Sequence, residues 1–423
     1  MIHQPWVTDQ EWHKRDSKLL QLAEQKVVLE HTSALVKSIP LSPPGIVFVR
    51  GPRQCGKSTL LRQYVQHAFA HGMPVGSIAL LESEACESRH DLLSEIRSFC
   101  ESSPDFHLLL IDEITSVEKW WLALKFAADS GALRNTLVLC TGSSADDVRS
   151  KADLLPGRRG KRFPLDFELL PVSYTELSSR LSLKEYFLTG GLPWAVNEFL
   201  EHRIIPPYVF ELYGAWILGA MVRNGHTTTH LAPLLNYLTQ RVCTPTSVSS
   251  LARDCGFGSN STAEAQLGVL ERNYALLPSR WSEPGSRIPA PRKNRKFYPA
   301  DPILFHVFAN FGRSWDSAYG ASLNRCEDPV IASRLAETVV ADALRRRPDM
   351  YPLHYFLGRK GIDFVGEEAI EVRFQNRVDI REFQWAEKMV PSTMGITVLT
   401  KTTRSEMGRI RCIPLEEWLT RSP

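Results

Sequence analysis

The run Gly51-Pro52-Arg53-Gln54-Cys55-Gly56-Lys57-Ser58-Thr59 has the residue types and spacing of a Walker A loop, the chain's answer to a polyphosphate. Its glycines free backbone N–H groups to wrap phosphate oxygens, and a helix starting behind them adds its positive dipole end. Lys57 is expected to reach the β and γ phosphates and Ser58 to hold Mg2+, which makes ATP and Mg2+ the expected ligands. A second stretch, FHLLLIDEI, supplies acid: Asp112 to bind the magnesium through water, Glu113 to polarise the attacking water. A third, TLVLCTGSSA, ends in Thr141, Ser143 and Ser144, and Ser143 is the candidate contact to the γ-phosphate.

These side chains need a scaffold. The apolar run Ile46 to Val49 reads as a buried strand feeding the loop, and Leu60, Leu61, Tyr64, Val65 and Ala68 mark one face of the helix after it. Leu108 to Ile111 forms a second buried strand. Between it and the third lies VEKWWLALKFAADSG, a helix with Trp120, Leu124 and Ala127 or Ala128 on one face and Gly131 as its stop. Strand and helix thus alternate as in a parallel α/β sheet.

The chain has 423 residues, which at roughly 150 per domain is about three domains. No window has the length and apolarity of a transmembrane helix, and MIHQPWVTDQEWHKRD lacks the build of a signal peptide, so a cytoplasmic location is expected. The eight cysteines lack the paired short spacings of a zinc site or a redox dithiol and read as reduced thiols. A net charge of +3 is too small to announce a nucleic-acid protein, so any such reading rests on local clusters.

One cluster spans 149–162, where Arg149, Lys151, Arg158, Arg159, Lys161 and Arg162 surround Asp153. Such a run is a solvated surface or the source of an arginine that reaches a neighbouring nucleotide site, with Arg158 the preferred candidate; whether Arg158 or Arg159 acts in trans stays open. The other lies at 292–296. Before it, TPTSVSSLARDCGFGSNSTAEAQLGVLERNYALLPS reads as a capped helix, a glycine turn, a second helix and a strand, the grammar of a helix-turn-helix or winged helix. The second helix carries Glu264 and Glu271 and is no basic reading face, so the phosphate contacts are expected from Arg292, Lys293, Arg295 and Lys296.

Near the C-terminus, DPVIASRLAETVVADALRRR forms an amphipathic helix with Glu337 near its middle, and GIDFVG and EEAIEVRF read as a hairpin. Asp363 and Glu371, with Glu337 from the helix, have the makings of a second metal site, with Arg373 beside it on the face of Glu371. The plain alternative is that Glu371 and Arg373 pair with each other, or with Arg359 and Asp363.

The ordered series GPRQCGKST, LLLIDEI, WWLALK, LCTGSSA, LPGR, PLDFELLPVSYTEL and YFLTGGLP resembles the prokaryotic AAA-type P-loop ATPases that carry a C-terminal PD-(D/E)XK nuclease-like domain, and the likeness covers most of the chain. The resemblance implies an α/β fold in four parts: a P-loop AAA-type ATPase core over 1–168, a helical lid over 169–238, a winged-helix-like domain over 239–320, and a restriction-endonuclease-like domain over 321–423. That last domain departs from the pattern. Arg373 stands where the family has a water-orienting lysine, and a flat, permanently charged guanidinium binds phosphate better than it places water, which marks the domain as degenerate. The expected function is an Mg2+-dependent ATPase acting on or with DNA. Two alternatives stay open: an ATP-regulated DNA nuclease, in one version defensive, and a regulatory ATPase switch that grips a protein partner. Monomer and homo-oligomer are both compatible with the sequence.

Overall fold

The computed structural model describes residues 2–9, 11–16, 20, 26–42, 45–102, 105–144, 148, 151–160 and 164–421. Of the basic run at 149–162, Arg149, Lys161 and Arg162 lie outside the described residues. The chain forms two compact units, Met1–Pro171 and Val172–Pro423. Among the described residues no helix is long and apolar enough to cross a membrane. None of the eight cysteines forms a disulfide.

The first unit is built on a six-stranded sheet: β1 (Ile2–His3), β2 (Gly45–Arg50), β3 (Ile78–Glu82), β4 (His107–Asp112), β5 (Thr136–Gly142) and β6 (Asp166–Glu168), in the spatial order β1-β3-β4-β5-β2-β6. Every pairing is parallel except β1 with β3. β4 and β5 are buried along their whole length, which explains their unbroken apolar runs: strands covered on both faces show no alternation. The cover comes from α1 (Lys26–Ser38), α2 (Lys57–Ala70), α3 (Arg89–Cys100) and α4 (Trp120–Asp129). α4 buries Trp120, Ala123, Leu124 and Ala127, and the Trp120 ring packs 5.5 Å from Phe48 of β2. Beyond α4, Gly131 sits at φ +84°, the left-handed conformation that ends a helix at little cost for glycine. The functional consequence lies in the order: β5 separates the loop-bearing strand β2 from the acidic strand β4, so residues at its end face both.

The second unit holds two sheets. The four-stranded one runs β10-β9-β7-β8 and the five-stranded one β11-β12-β13-β15-β14, where β7 is Leu276–Trp281, β8 Arg295–Pro299, β9 His354–Leu357, β10 Gly361–Ile362, β11 Phe364–Val365, β12 Ala369–Arg373, β13 Ile396–Thr400, β14 Ser405–Met407 and β15 Ile410–Pro414. Helices α5 (Pro207–Arg223), α6 (Val248–Asp254), α7 (Asn260–Arg272), α8 (Pro302–Asn310) and α9 (Pro329–Arg345) belong to the same unit. The caps follow the local sequence: Ser247, Ser259, Asp301 and Asp328 each accept a backbone N–H at the start of the helix they precede. Besides forming a hairpin with β8, β7 pairs in parallel with β9, through Arg280 with His354 and Trp281 with Tyr355. The chain leaves this sheet after β10 and enters the other at β11, and Asp363 is the one residue between them.

Candidate functional site

The loop after β2 is shaped by its glycines. A side-chain carbon on Gly51 would lie 2.1 Å from the carbonyl oxygen of Leu169, so the backbone passes through a gap only glycine fits. Gln54 and Gly56 adopt φ +64° and +94°, curling the loop into the start of α2, whose first turn has no side-chain cap. Uncapped N–H groups at a helix start are anion donors, and the Nε of Arg53 is also buried without a hydrogen-bond partner. Lys57, 7% exposed, donates from Nζ to the carbonyls of Gly51 and Pro52 at 3.0 and 2.8 Å. Burial pushes its pKa below the ordinary lysine value, against the pull of Glu113. This donor set fits the phosphates of a nucleotide: a helix start without a side-chain cap and a buried ammonium that donates to two neutral carbonyls.

The acidic side is tied together by hydroxyls. The Thr141 hydroxyl donates to Asp112 Oδ1 at 2.7 Å and accepts the backbone N–H of Glu113 at 2.9 Å. Glu113 sits at φ +51°, a left-handed turn that carries its side chain away from the strand. Its Oε1 accepts from Ser143 N at 2.9 Å, Ser143 Oγ at 2.7 Å and Thr115 Oγ1 at 2.6 Å. Burial raises the Glu113 pKa, but the Lys57 charge and the bonds from Thr115 and Ser143 outweigh it, and the net shift is downward. Glu113 is therefore held as a carboxylate. Ser83 completes the turn, its Oγ 2.7 Å from the carbonyl oxygens of both Asp112 and Glu113. Neither Ser83 nor Thr115 was expected. A hydroxyl directly after a neighbouring strand was the available signal for Ser83.

Arg158 forks onto Asp129 at the end of α4, with Nε and Nη2 at 2.5 and 3.2 Å from its two oxygens. Reaching a nucleotide would require that pair to open. Arg159 is tied to Asp166 at 2.9 Å and stacks on Phe48, which makes it a strand clasp.

The basic run at 292–296 divides. Arg292 and Lys293 are exposed, with the Lys293 ammonium 5.0 Å from the Trp281 ring. Arg295 is not available to phosphate as expected: its guanidinium pairs with Glu264 and, at 3.9 Å, with Glu271, both on α7. Lys296 is not a surface residue either. It is 6% exposed, and Nζ donates to Asp363 Oδ1 at 2.7 Å and Glu337 Oε1 at 3.0 Å. The physical reason is pairing of alternate strand residues with acids: α7 draws Arg295 outward, and α9 and the β10–β11 junction draw Lys296 inward.

The residues expected to form a second metal site meet at the same contact. Glu337, Asp363 and Glu371 do converge, but among the described residues no three His, Cys, Asp or Glu side chains are arranged to hold a metal ion. The Tyr298 hydroxyl donates to Glu337 Oε1 at 2.7 Å. Val372 N donates to Asp363 Oδ2 at 2.9 Å, Asp363 N to Glu371 Oε2 at 3.1 Å, and Arg373 pairs with Glu371 Oε1 at 2.6 Å. Burial followed by the Asp363 charge raises the pKa of both Glu337 and Glu371, and at Lys296 the charges of Asp363 and Glu337 overcome burial and raise it too. The result is a cluster in which Lys296 and Arg373 pair with the three carboxylates.

Residues 43–178 match a protein family described as an AAA domain. An uncharacterized protein of Haemophilus influenzae is 27% identical over 353 residues, covering 78% of this chain and 81% of that one. Among solved structures, a Walker-type ATPase of Pyrococcus abyssi aligns with TM-score 0.43 and 16% identity over 66% of this chain and 94% of that one. The Aeropyrum pernix ORC1 protein, solved in complex with DNA, aligns with TM-score 0.33 and 11% identity over 68% of this chain and 92% of that one. The family match, coinciding with the loop and the acidic strand described above, gives this chain an AAA-type P-loop ATPase-like domain.

Proposed function

We propose that the chain binds and hydrolyses ATP with Mg2+ and uses that cycle to act on or with DNA. The observation that carries the reading is the Glu113 carboxylate, kept ionised by the Lys57 charge and oriented by Ser143 and Thr115, in the unit that carries the uncapped start of α2. Lys57 would turn from the loop carbonyls to the β and γ phosphates, Ser58 and Asp112 would hold the magnesium, and Glu113 would take the proton of the attacking water. Phosphate release by the purified chain tests this. Release that is slow and unchanged in Lys57→Ala and Glu113→Ala overturns it.

The DNA contact falls to α6, α7 and the β7–β8 hairpin, read as a winged helix with Arg292 and Lys293 as its free cations. A protein partner for the same region is the second reading, favoured by one observation: Glu264 and Glu271 make the surface of α7 acidic around Arg295. Salt-dependent binding to duplex DNA separates the two.

A further inference from the structure

The resemblance of the C-terminal segment to a metal-dependent nuclease makes a divalent ion the natural occupant of the Glu337, Asp363 and Glu371 cluster, and the residues present do not fit one. We infer that the Lys296 ammonium occupies the place of that ion, so that the cluster is a closed, metal-free ion-pair centre which opens to Mn2+ or Mg2+ only when Lys296 is removed.

The oxygen atoms of the three carboxylates carry the inference. Glu337 Oε1 takes Lys296 and Tyr298, Asp363 Oδ1 takes Lys296, Asp363 Oδ2 takes Val372 N, Glu371 Oε2 takes Asp363 N, and Glu371 Oε1 takes Arg373. The Cys243 thiol also hydrogen-bonds the Glu337 carboxylate. A hard divalent cation binds through several such oxygens at once and would have to expel the buried Lys296, whereas Arg373, 47% exposed, can swing out to water. An ammonium, by contrast, is a compact charge with three donors, suited to bridging two carboxylates. Lys296 reaches them from β8, with its Nζ also 5.6 Å from the Tyr355 ring, while Glu337 comes from α9 and Asp363 from the junction of the two sheets. Three separately placed elements are thus pinned at one nitrogen.

A lysine close to metal-binding carboxylates is also what a nuclease needs, so the alternative is that Lys296 stands in for the lysine missing at Arg373. In that case the carboxylate oxygens would have to be open to metal in the unaltered chain. Their engagement by protein donors argues for the closed centre.

Mn2+ titration of the full, nucleotide-free chain, followed by loss of the free-ion resonance signal, tests this. Wild type sets the background of the Walker site; Lys296→Met is expected to bind about one further Mn2+ per chain, and Lys296→Met combined with Glu371→Gln to lose it. A folded Lys296→Met that binds no more than wild type overturns the inference, as does divalent-dependent DNA cleavage by wild type that Lys296→Met abolishes. Lys296→Gln is the second variant. Should neither fold, wild type against Glu371→Gln decides: equal uptake supports the closed centre, and uptake lost in Glu371→Gln overturns it.

Discussion

Ser143 holds the Glu113 carboxylate with two donors, its backbone N–H and its hydroxyl meeting Oε1 at 2.9 and 2.7 Å. The contact exists because β5 lies directly beside β4, so the residue after one strand end closes over the residue after the other. Ser143→Ala keeps the N–H and loses one neutral hydrogen bond to an ion, which in a positioning role is worth about 1.5 kcal/mol, or roughly tenfold in turnover. Steady-state phosphate release with a parallel nucleotide titration checks it: kcat falls and affinity is nearly kept. Weakened affinity with kcat intact would assign Ser143 to ground-state binding instead.

Lys57 and Glu113 separate binding from chemistry. Glu113→Gln retains shape and hydrogen bonding but not basicity, and is expected to bind ATP while losing about 100-fold or more of its turnover. Lys57→Ala removes the buried ammonium and is expected to weaken nucleotide affinity itself. Equilibrium binding of a fluorescent nucleotide distinguishes the two.

Gly51→Ala forces a carbon to within 2.1 Å of the Leu169 carbonyl oxygen, a backbone atom that cannot swing aside. The expected loss is about 1–3 kcal/mol of stability of the first unit, together with nucleotide binding. Urea denaturation with and without ATP reads both.

His306 makes the second unit acid-sensitive. The ring is buried on α8, with Nε2 3.0 Å from the Phe187 carbonyl oxygen, and burial pushes its pKa down to about 3. The unfolded chain takes a proton below about pH 6.5, while the folded one refuses it until about pH 3, so stability is full above that window and falls through it as pH drops. The slope contributed is at most about 1.4 kcal/mol per pH unit. His306→Gln, which keeps a donor for the carbonyl and cannot charge, is expected to flatten urea midpoints measured between about pH 7 and 5.

Arg292 and Lys293 are the free cations of their run, and Arg295 is not. If the hairpin meets DNA, Arg292→Ala with Lys293→Ala lowers affinity and reduces the salt-dependence slope by about 2, with melting unchanged. Arg295→Ala is expected to shift stability and leave that slope in place. Fluorescence anisotropy across a salt series reads the first, thermal melting the second.

The sequence by itself determined the loop after β2 and the acidic end of β4. Gly51 to Ser58 and Asp112-Glu113 are contiguous runs at strand ends, and their chemistry depends on φ and ψ within a few residues, which glycine, helix caps and apolar runs encode locally. Thr141 and Ser143 were legible for the same reason, as hydroxyls ending a buried strand. Ser83 and Thr115 were not, because a serine or threonine after a strand is common and only the strand order shows which backbone it meets. The tertiary structure alone decided the fate of Arg295 and Lys296. In the sequence they extend a basic run that looks like a phosphate-binding surface. Lys296 bonds across 41 residues to Glu337 and across 67 to Asp363, through the parallel pairing of β7 with β9 and the approach of α9. Whether a charged side chain faces water or a carboxylate is set by which acids the distant chain brings to it, and no local pattern records that.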